Sequence, residues 1–319
     1  MAHRLIVIVF SCGLWLLAWG QSSLAAEKPR LAFVRGGNIW IADSDGAKAR
    51  QLTHSHQDRG PAVSPDGKWV AFYSGVGEET GFGQIFLIPS RGGVIQQFRH
   101  PKLQGGEHPA FSPDGRTLLF VGLSDLKVQQ TQGSESSLAT MSLSLADLST
   151  GAVRRLISHP DTHLDTGYIY RNPAFSVDGG LIAYQESGSD VSGGFVVLNL
   201  QGKKIFRFPK NSRDATPYWR PQFSPDGKEI LCYSPAINAA GEDIIYLVNL
   251  ATGKKTTVAL GSNPNFVEHG KALVFERWPK ERWVSGAKVK ADLWRLELKP
   301  GAAPKLMITD AAEPAGQMP

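Results

Sequence analysis

Histidine is the residue type whose placement in this sequence first suggests chemistry. Six of the eight histidines lie between predicted strands at three neighbouring junctions: His54, His56, His100, His108, His159 and His163. Imidazole rings beside a carboxylate or amide suit a transition metal, which acidifies a substrate proton or activates water. One hypothesis is therefore a metal site with His54, His56 and His108 among its ligands. The alternative, which the loose spacing favours, is loop histidines without a ligand.

A second candidate site consists of residues that precede a recurring proline. Arginine, tyrosine and tryptophan, which are enriched at the energetic centres of protein interfaces, are frequent at these positions. The predicted binding residues are Arg59, His108, Tyr170, Arg171, Tyr218, Trp219, Arg220 and Glu313. The alternative is that they are solvated loop ends that pack on one another.

Other catalytic patterns are missing from the sequence. It contains neither the G-x-S-x-G of a nucleophile elbow nor the H-E-x-x-H of a zinc peptidase. The segment "DSDG" (43–46) resembles the start of a calcium loop but lacks its glutamate, so we interpret it as a turn. Cys232, in "EILCYS", is predicted to be a buried strand residue and not a nucleophile.

A repeated phrase indicates the elements that position these residues. "PAFSPDGRTLLFVG" from Pro109 has counterparts that begin at other prolines, and the aligned prolines are separated by 48, 64, 48, 43 and 50 residues. They are Pro61, Pro109, Pro173, Pro221, Pro264 and Pro314. This period suits a four-stranded propeller blade of roughly 40–50 residues. Short runs rich in β-branched and aromatic residues, such as "IFLIP" and "IIYLVNL", predict strands throughout.

The two ends of the repeat region predict the number of blades. Residues 30–54 supply the second, third and fourth strands of a blade, and residues 310–319 resemble a first strand. Pairing of the C-terminal strand with the N-terminal three would close a ring and leave no exposed sheet edge at the junction. We therefore predict an all-β, six-bladed β-propeller of four-stranded antiparallel blades.

The motif Ser-Pro-Asp-Gly predicts a tight turn between the first and second strands. Proline presets φ, aspartate bonds back to the backbone, and glycine accepts the positive φ that ends the turn. The connections on this face are short, whereas long ones such as 122–139 and 277–291 fall on the opposite face. Function is therefore expected on the loop-rich face, where the residues ahead of the prolines would surround the channel mouth.

The N-terminus has the composition of a secretory signal peptide. "MAHR" precedes an apolar run from Leu5 to Trp19, which is shorter than the ~20 residues of a membrane-spanning helix, and small residues follow it. We expect a signal peptide at 1–26, one propeller domain at 27–319, and a periplasmic or secreted monomer with no membrane span after cleavage. The formal charge of +5 is too small and too dispersed to suggest nucleic-acid binding.

The repeats "FSPDGRTLLF" and "FSPDGKEILCY" and the segment "NIWIADSDGAKARQLTH" resemble those of TolB-type β-propellers. The resemblance covers nearly all of residues 30–319 and implies the propeller fold. TolB proteins carry an α/β domain ahead of the propeller, and we expect none here. Exported oligogalacturonate lyases have similar repeats and hold a metal through histidines ahead of such a turn, a position that only His108 matches.

Three functional hypotheses follow. The first is an exported, non-catalytic scaffold that binds a protein or peptide partner of the cell envelope through the loop-rich face and needs no cofactor. The second is a metal-dependent carbohydrate-active enzyme resembling oligogalacturonate lyases. The third is a sensor of a small anionic ligand, which would be bound by Arg59, Arg171 and Arg220.

Overall fold

The chain folds into a ring of six sheets. The computed structural model describes residues 29–75, 82–131, 134–163, 169–188, 191–209, 216–235, 242–279 and 289–317. Within these ranges, 24 strands form six four-stranded antiparallel sheets. The predicted all-β, six-bladed propeller is confirmed. The predicted signal peptide lies outside the described ranges.

In five of the six blades the four strands follow one another in sequence, whereas blade I combines the first three strands of the chain with the last. The innermost strand of each blade contacts the innermost strands of its neighbours. Blade I contains β1 (Arg30–Arg35), β2 (Asn38–Asp43), β3 (Arg50–Gln51) and the last strand, β24 (Ala312–Gly316). Blade II contains β4 (Asp58–Val63), β5 (Trp69–Ser74), β6 (Gln84–Pro89) and β7 (Gln96–Gln97). Blade III contains β8 (Gly105–Phe111), β9 (Thr117–Thr131), β10 (Ser134–Asp147) and β11 (Val153–His163).

The other three blades repeat this order. Blade IV contains β12 (Ile169–Phe175), β13 (Leu181–Gly188), β14 (Val191–Asn199) and β15 (Lys204–Phe208). Blade V contains β16 (Trp219–Phe223), β17 (Glu229–Ser234), β18 (Ile244–Asn249) and β19 (Lys255–Leu260). Blade VI contains β20 (Ser262–Val267), β21 (Ala272–Arg277), β22 (Asp292–Glu297) and β23 (Lys305–Ile308). No helix in the described ranges is long and apolar enough to cross a membrane.

The hydrophobic core lies between the blades. Apolar side chains of the central strands pack face to face, as in the cluster of Val34, Val70 and Phe72, and Phe120 and Phe275 are fully buried. Cys232 lies in such an interface without a disulfide, and burial raises the pKa of its thiol. Its predicted place in a buried strand is confirmed. Sheet-on-sheet burial of apolar surface therefore holds the ring together.

The C-terminal strand β24 closes the ring. It pairs antiparallel with β1, with Leu31 opposite Gly316. Its end also reaches the neighbouring blades: the Gly316 N–H donates to Asn265 Oδ1 at 2.8 Å, and Gln317 Nε2 donates to the carbonyl of Pro65 at 2.8 Å. The last strand thus links blades VI, I and II, as the sequence predicts.

The Ser-Pro-Asp-Gly turns are held by their own side chains. In blade III the Ser112 hydroxyl donates to Asp114 Oδ1 at 2.5 Å, and the same carboxylate oxygen accepts the Arg116 N–H at 3.0 Å. The Thr117 N–H then donates to Ser112 Oγ at 2.9 Å. The bond from Ser112 is the main reason why the pKa of Asp114 lies below its usual value. These polar groups are therefore engaged within the turn.

Neighbouring turns also interlock through their prolines. A Cβ added to Gly270, whose φ is +80°, would lie 2.3 Å from Pro225 Cγ of the preceding blade. At Gly179, the corresponding distance to Pro113 Cδ is 3.5 Å. In blade IV, Val177 stands in place of the turn proline. A Cβ added to Gly227, the turn glycine of the following blade, would have no described atom within 4 Å. The repeated proline and glycine therefore also pack adjacent blades together.

One predicted loop is instead a sheet extension. Residues 122–139 were expected to form a long connection, but β9 and β10 continue through this segment, with Thr131 opposite Ser134. The fourth strand of the blade, β11, extends too, and Lys127 Nζ of β9 lies 2.9 Å from Asp161 Oδ1 of β11. The many polar residues do not prevent pairing here, because antiparallel strands pair through backbone hydrogen bonds.

Removal of residues 310–319 should sharply destabilise the protein, because it deletes β24 and exposes the edge of β1. We expect the Tm in differential scanning calorimetry to fall by about 10 °C or more. Gln317→Ala, which removes only the side-chain bonds to Arg30 and Pro65, should cause a smaller decrease. An unchanged Tm after the deletion would contradict closure by the C-terminal strand.

Candidate functional site

Each first strand carries the same backbone irregularity ahead of its proline. The residue immediately before the proline has a left-handed conformation, with φ between +47° and +54°, in all six blades. These pre-proline residues are Gly60, His108, Asn172, Arg220, Asn263 and Glu313. The strand register shifts at each of them, which marks a β-bulge. Bulges re-aim side chains, and here they surround one end of the central channel.

Glycine occurs in this ring only in blade II, and the structure explains its presence. A Cβ on Gly60 would lie 2.4 Å from Cε1 of Tyr73. The Tyr73 ring therefore occupies the space that a side chain at position 60 would need. Burial, with help from the nearby Glu313 and Glu107, raises the pKa of its hydroxyl, so Tyr73 stays neutral and can donate a hydrogen bond.

The pre-proline ring surrounds a cavity of about 390 Å³, which we call the mouth. It is lined by Gly60, Tyr73, His108, Arg171, Asn172, Gln185, Ser187, Trp219, Arg220, Tyr233, Asn263 and Glu313. Deeper in the channel lies a second cavity of about 160 Å³, lined by the aligned prolines and their neighbours. The mouth is therefore a polar and aromatic pit above a second, proline-lined cavity.

Five of the eight predicted binding residues line the mouth: His108, Arg171, Trp219, Arg220 and Glu313. Arg59 lies beside it. The residue of blade II that belongs to the ring is Gly60, so Arg59 is one position further out, with its Nε 3.9 Å from Glu313 Oε1.

Tyr170 and Tyr218 do not reach the mouth. Tyr170 packs edge-on against Tyr184, at 5.4 Å between ring centroids, within an apolar cluster. Tyr218 is fully buried, and its hydroxyl is 2.7 Å from Lys255 Nζ. The expectation that these two tyrosines stand at the rim is therefore wrong in its geometry, and both are core residues between strands.

Sequence reasoning missed the second strands as part of the mouth. Tyr73, Gln185 and Tyr233 lie directly opposite Arg59, Arg171 and Trp219 in the strand pairing. Trp219 and Tyr233 pack edge to face, at 5.7 Å between ring centroids. The sequence repeats could have identified them, because all three residues occupy the same position of the repeated phrase, at the end of its second strand.

The carboxylates of the site are engaged by hydrogen bonds within the protein. Glu313 Oε2 accepts the Gly60 N–H at 2.6 Å. The buried Glu276 accepts the Glu313 N–H at 2.6 Å, Asn263 Nδ2 at 2.6 Å and Trp278 Nε1 at 3.0 Å. Burial nevertheless raises the pKa of Glu276. The bond from the Glu313 N–H links β24 to blade VI, and the bond from the Gly60 N–H links β24 to blade II. Both bonds therefore stabilise the closed ring and the arrangement of the mouth.

Glu107 and His108 form the opposite wall. Glu107 Oε1 accepts the Gly83 N–H at 3.0 Å, and burial raises the pKa of this carboxyl. His108 packs against Tyr73, at 5.1 Å between ring centroids. Burial, reinforced by the positive charges of Arg171 and Arg220, lowers the pKa of His108 to about 3. His108 is therefore a neutral side chain at physiological pH.

The histidines of the metal hypothesis are not assembled into a site. His54 Nδ1 lies 2.9 Å from Gln51 Nε2, His56 Nδ1 lies 3.1 Å from Asn38 Nδ2, and His108 is held in the mouth. Among the described residues, no group of three or more histidine, cysteine, aspartate or glutamate side chains has the proximity that a metal ion needs. The structure therefore does not bring His54, His56 and His108 together among the described residues, and the metal hypothesis remains a prediction.

The depressed pKa of His108 predicts a pH-dependent contribution to stability. Its neutral form is favoured in the folded state, so this contribution is complete above the unfolded value of about 6.5 and is lost as the pH falls towards 3. His108→Asn, which introduces the residue that blades IV and VI use here, should therefore reduce the loss of Tm between pH 7 and pH 4.

The measurement is a series of thermal melts across this pH range. Glu107 and Glu276 act in the opposite direction because their pKa values are raised, so the informative quantity is the difference between variant and wild type. The exposed His54→Asn serves as the control and should leave the pH profile unchanged. Equal slopes for His108→Asn and wild type would contradict a buried, neutral His108.

Comparisons with known proteins identify the fold. No protein-family model matches the sequence, and no curated protein matches it. Among solved structures, TolB from Acinetobacter baumannii is similar, with a TM-score of 0.65 and 20% identity over 91% of this chain and 67% of that one. A putative TolB from Agrobacterium tumefaciens has a TM-score of 0.55 and 19% identity over 74% and 81%, respectively.

An oligogalacturonate lyase in complex with manganese is also similar, with a TM-score of 0.51 and 15% identity over 84% of this chain and 69% of that one. Identities this low establish a shared fold and leave activity open. The resemblance inferred from the repeats is thus confirmed at the level of architecture. The chain has the fold of a TolB-like six-bladed β-propeller.

Proposed function

We propose that the protein is an exported propeller scaffold that binds a protein or peptide partner in the cell envelope through the mouth. The observation that carries the proposal is the composition of this pit. Trp219, Arg171 and Arg220 line one cavity together with Tyr73 and Tyr233. Tryptophan, tyrosine and arginine provide most of the binding energy at protein interfaces, particularly in partly desolvated pockets.

The rigidity of the mouth supports the same function. Glu313 and Glu276 are fixed by hydrogen bonds between blades, Asn263 is bonded to Glu276 within blade VI, and Trp219 packs against Tyr233. A site whose side chains are already ordered loses less entropy on binding, which increases affinity. The protein therefore presents a preorganised surface to its partner.

The opposite face offers less for recognition. Its turns are short, and groups such as Ser112 and Asp114 satisfy each other. The apolar run and small residues at the N-terminus support delivery of the chain to the periplasm or outside the cell. An envelope protein or an exposed peptide segment is the class of partner that such a location supplies.

A crosslinking pull-down from envelope extract of the native organism tests the proposal. The bait is the full chain, and Arg220→Glu reverses one charge of the mouth. We expect wild type to retain one or more partners and Arg220→Glu to lose them by about tenfold or more, because an opposed charge in an interface is strongly unfavourable.

Thr252→Glu is the matched control, since it adds the same acidic side chain to an exposed turn on the opposite face. Each variant should first show a wild-type thermal melt. Recovery of the same proteins by wild type and Arg220→Glu, or loss of them with Thr252→Glu alone, would contradict binding at the mouth.

A further inference from the structure

The mouth contains two arginine side chains that form no described hydrogen bond. The positive charge of Arg171 partly offsets the burial that raises the pKa of Glu107, and Arg220 does the same for Glu276. Arg171 and Arg220 both line the cavity, and within the described ranges neither forms a hydrogen bond or an ion pair. Both are close enough to His108 for their charges to disfavour its protonation. A guanidinium group has five N–H donors, so the pit has donor capacity that the described residues do not use.

The acceptors of the site are, in contrast, already engaged. Glu313 accepts the Gly60 N–H and lies 3.9 Å from Arg59 Nε, and Glu107 accepts the Gly83 N–H. Glu276 accepts three hydrogen bonds. The donors of the mouth that the described residues leave unused are therefore the guanidinium groups of Arg171 and Arg220, on the side of blades IV and V.

We infer that the mouth binds its partner through a carboxylate group held between Arg171 and Arg220. This inference rests on the proposed function and specifies the chemistry of the ligand. The planar guanidinium fork matches a carboxylate and can bind it through two parallel hydrogen bonds. A neutral His108 beside the arginines can accept or donate a further bond without adding charge.

The shape of the pit and its amides indicate that the carboxylate belongs to a peptide. Asn172, Asn263 and Gln185 supply side-chain amides that can pair with peptide groups, and Trp219 offers an aromatic surface. Below the mouth, whose volume is about 390 Å³, lies a second cavity of about 160 Å³ that is lined by the aligned prolines and their neighbours. A peptide could place its C-terminal carboxylate in the pit by ending there. A peptide that passes over the mouth could instead insert the carboxylate of an aspartate or glutamate side chain.

Pentapeptide pools labelled at the N-terminus with an uncharged BODIPY dye, which adds no carboxylate, distinguish these two sources of the carboxylate. The first pool lacks aspartate and glutamate and has a free C-terminus, the second contains the same sequences as C-terminal amides, and the third is amidated but includes acidic residues. Affinity for the full chain is measured by fluorescence anisotropy. Tighter binding of the first pool than of the second, by about tenfold or more, indicates a terminal carboxylate, and preference for the third over the second indicates a side chain.

Arg171→Gln and Arg220→Gln should each weaken binding of the preferred pool by about tenfold, and added salt should weaken it in wild type. Arg116→Gln, on the exposed turn of blade III, is the matched control and should have no effect. Equal affinity for all three pools, or no binding of any pool, would overturn the inference.

Failure of the inference can be separated from failure of the proposed function. If all pools bind equally and Trp219→Ala abolishes that binding, the mouth binds peptides without recognising a carboxylate. If no pool binds but the envelope pull-down still yields a partner sensitive to Arg220→Glu, partner binding remains and the carboxylate chemistry is wrong.

Discussion

A left-handed residue ahead of a proline in every first strand is the constraint on which the site depends. Each of these residues interrupts the strand register and lies at the mouth, from His108 in blade III to Glu313 in the closing strand. Left-handed conformations are uncommon for residues other than glycine, and asparagine adopts them most readily. Histidine, arginine and glutamate at such positions strain the local backbone, and backbone strain of this kind is common where functional groups must be placed.

Ring closure and the binding surface depend on the same residues. Glu313 lies on the strand that closes the ring, its N–H is bonded to Glu276, and its carboxylate is bonded to the backbone of Gly60. The mouth therefore exists in this form only when the C-terminal strand is in place. Interlocked turns hold the opposite end, where Pro225 occupies the space beside Gly270. One end of the ring is fixed by repeated apolar and turn packing, and the other end by polar bonds that differ from blade to blade.

Repetition in the sequence was sufficient to predict the fold, because a turn motif with strict φ requirements recurs at the period of a blade. It also located most of the site. The errors arose where a residue was assigned to the rim without its place in the bulge being considered. Tyr170 and Tyr218 each lie two residues before the pre-proline residue of their blade. The residues at the same position in other blades, such as Gly106 and Gly261, are also buried. Comparison across blades would have assigned both tyrosines to the core.

Other features required coordinates. The 122–139 segment has a polar composition typical of a loop, and only its pairing reveals a strand extension. One hypothesis placed His54, His56 and His108 around a single metal ion, yet His56 lies beside Asn38 and His108 packs against Tyr73. Side-chain direction in a bulged strand depends on backbone conformation at single residues, and sequence periodicity does not resolve it.

Site-specific photocrosslinking in living cells tests the central claim, binding at the mouth, most directly. A photoreactive amino acid would replace Ser187, which lines the mouth, or Thr252, which lies on an exposed turn of the opposite face. If the mouth is the binding surface, position 187 will form a discrete crosslinked adduct with an envelope partner and position 252 will not. Adducts only at position 252, or the same adducts at both positions, would contradict it.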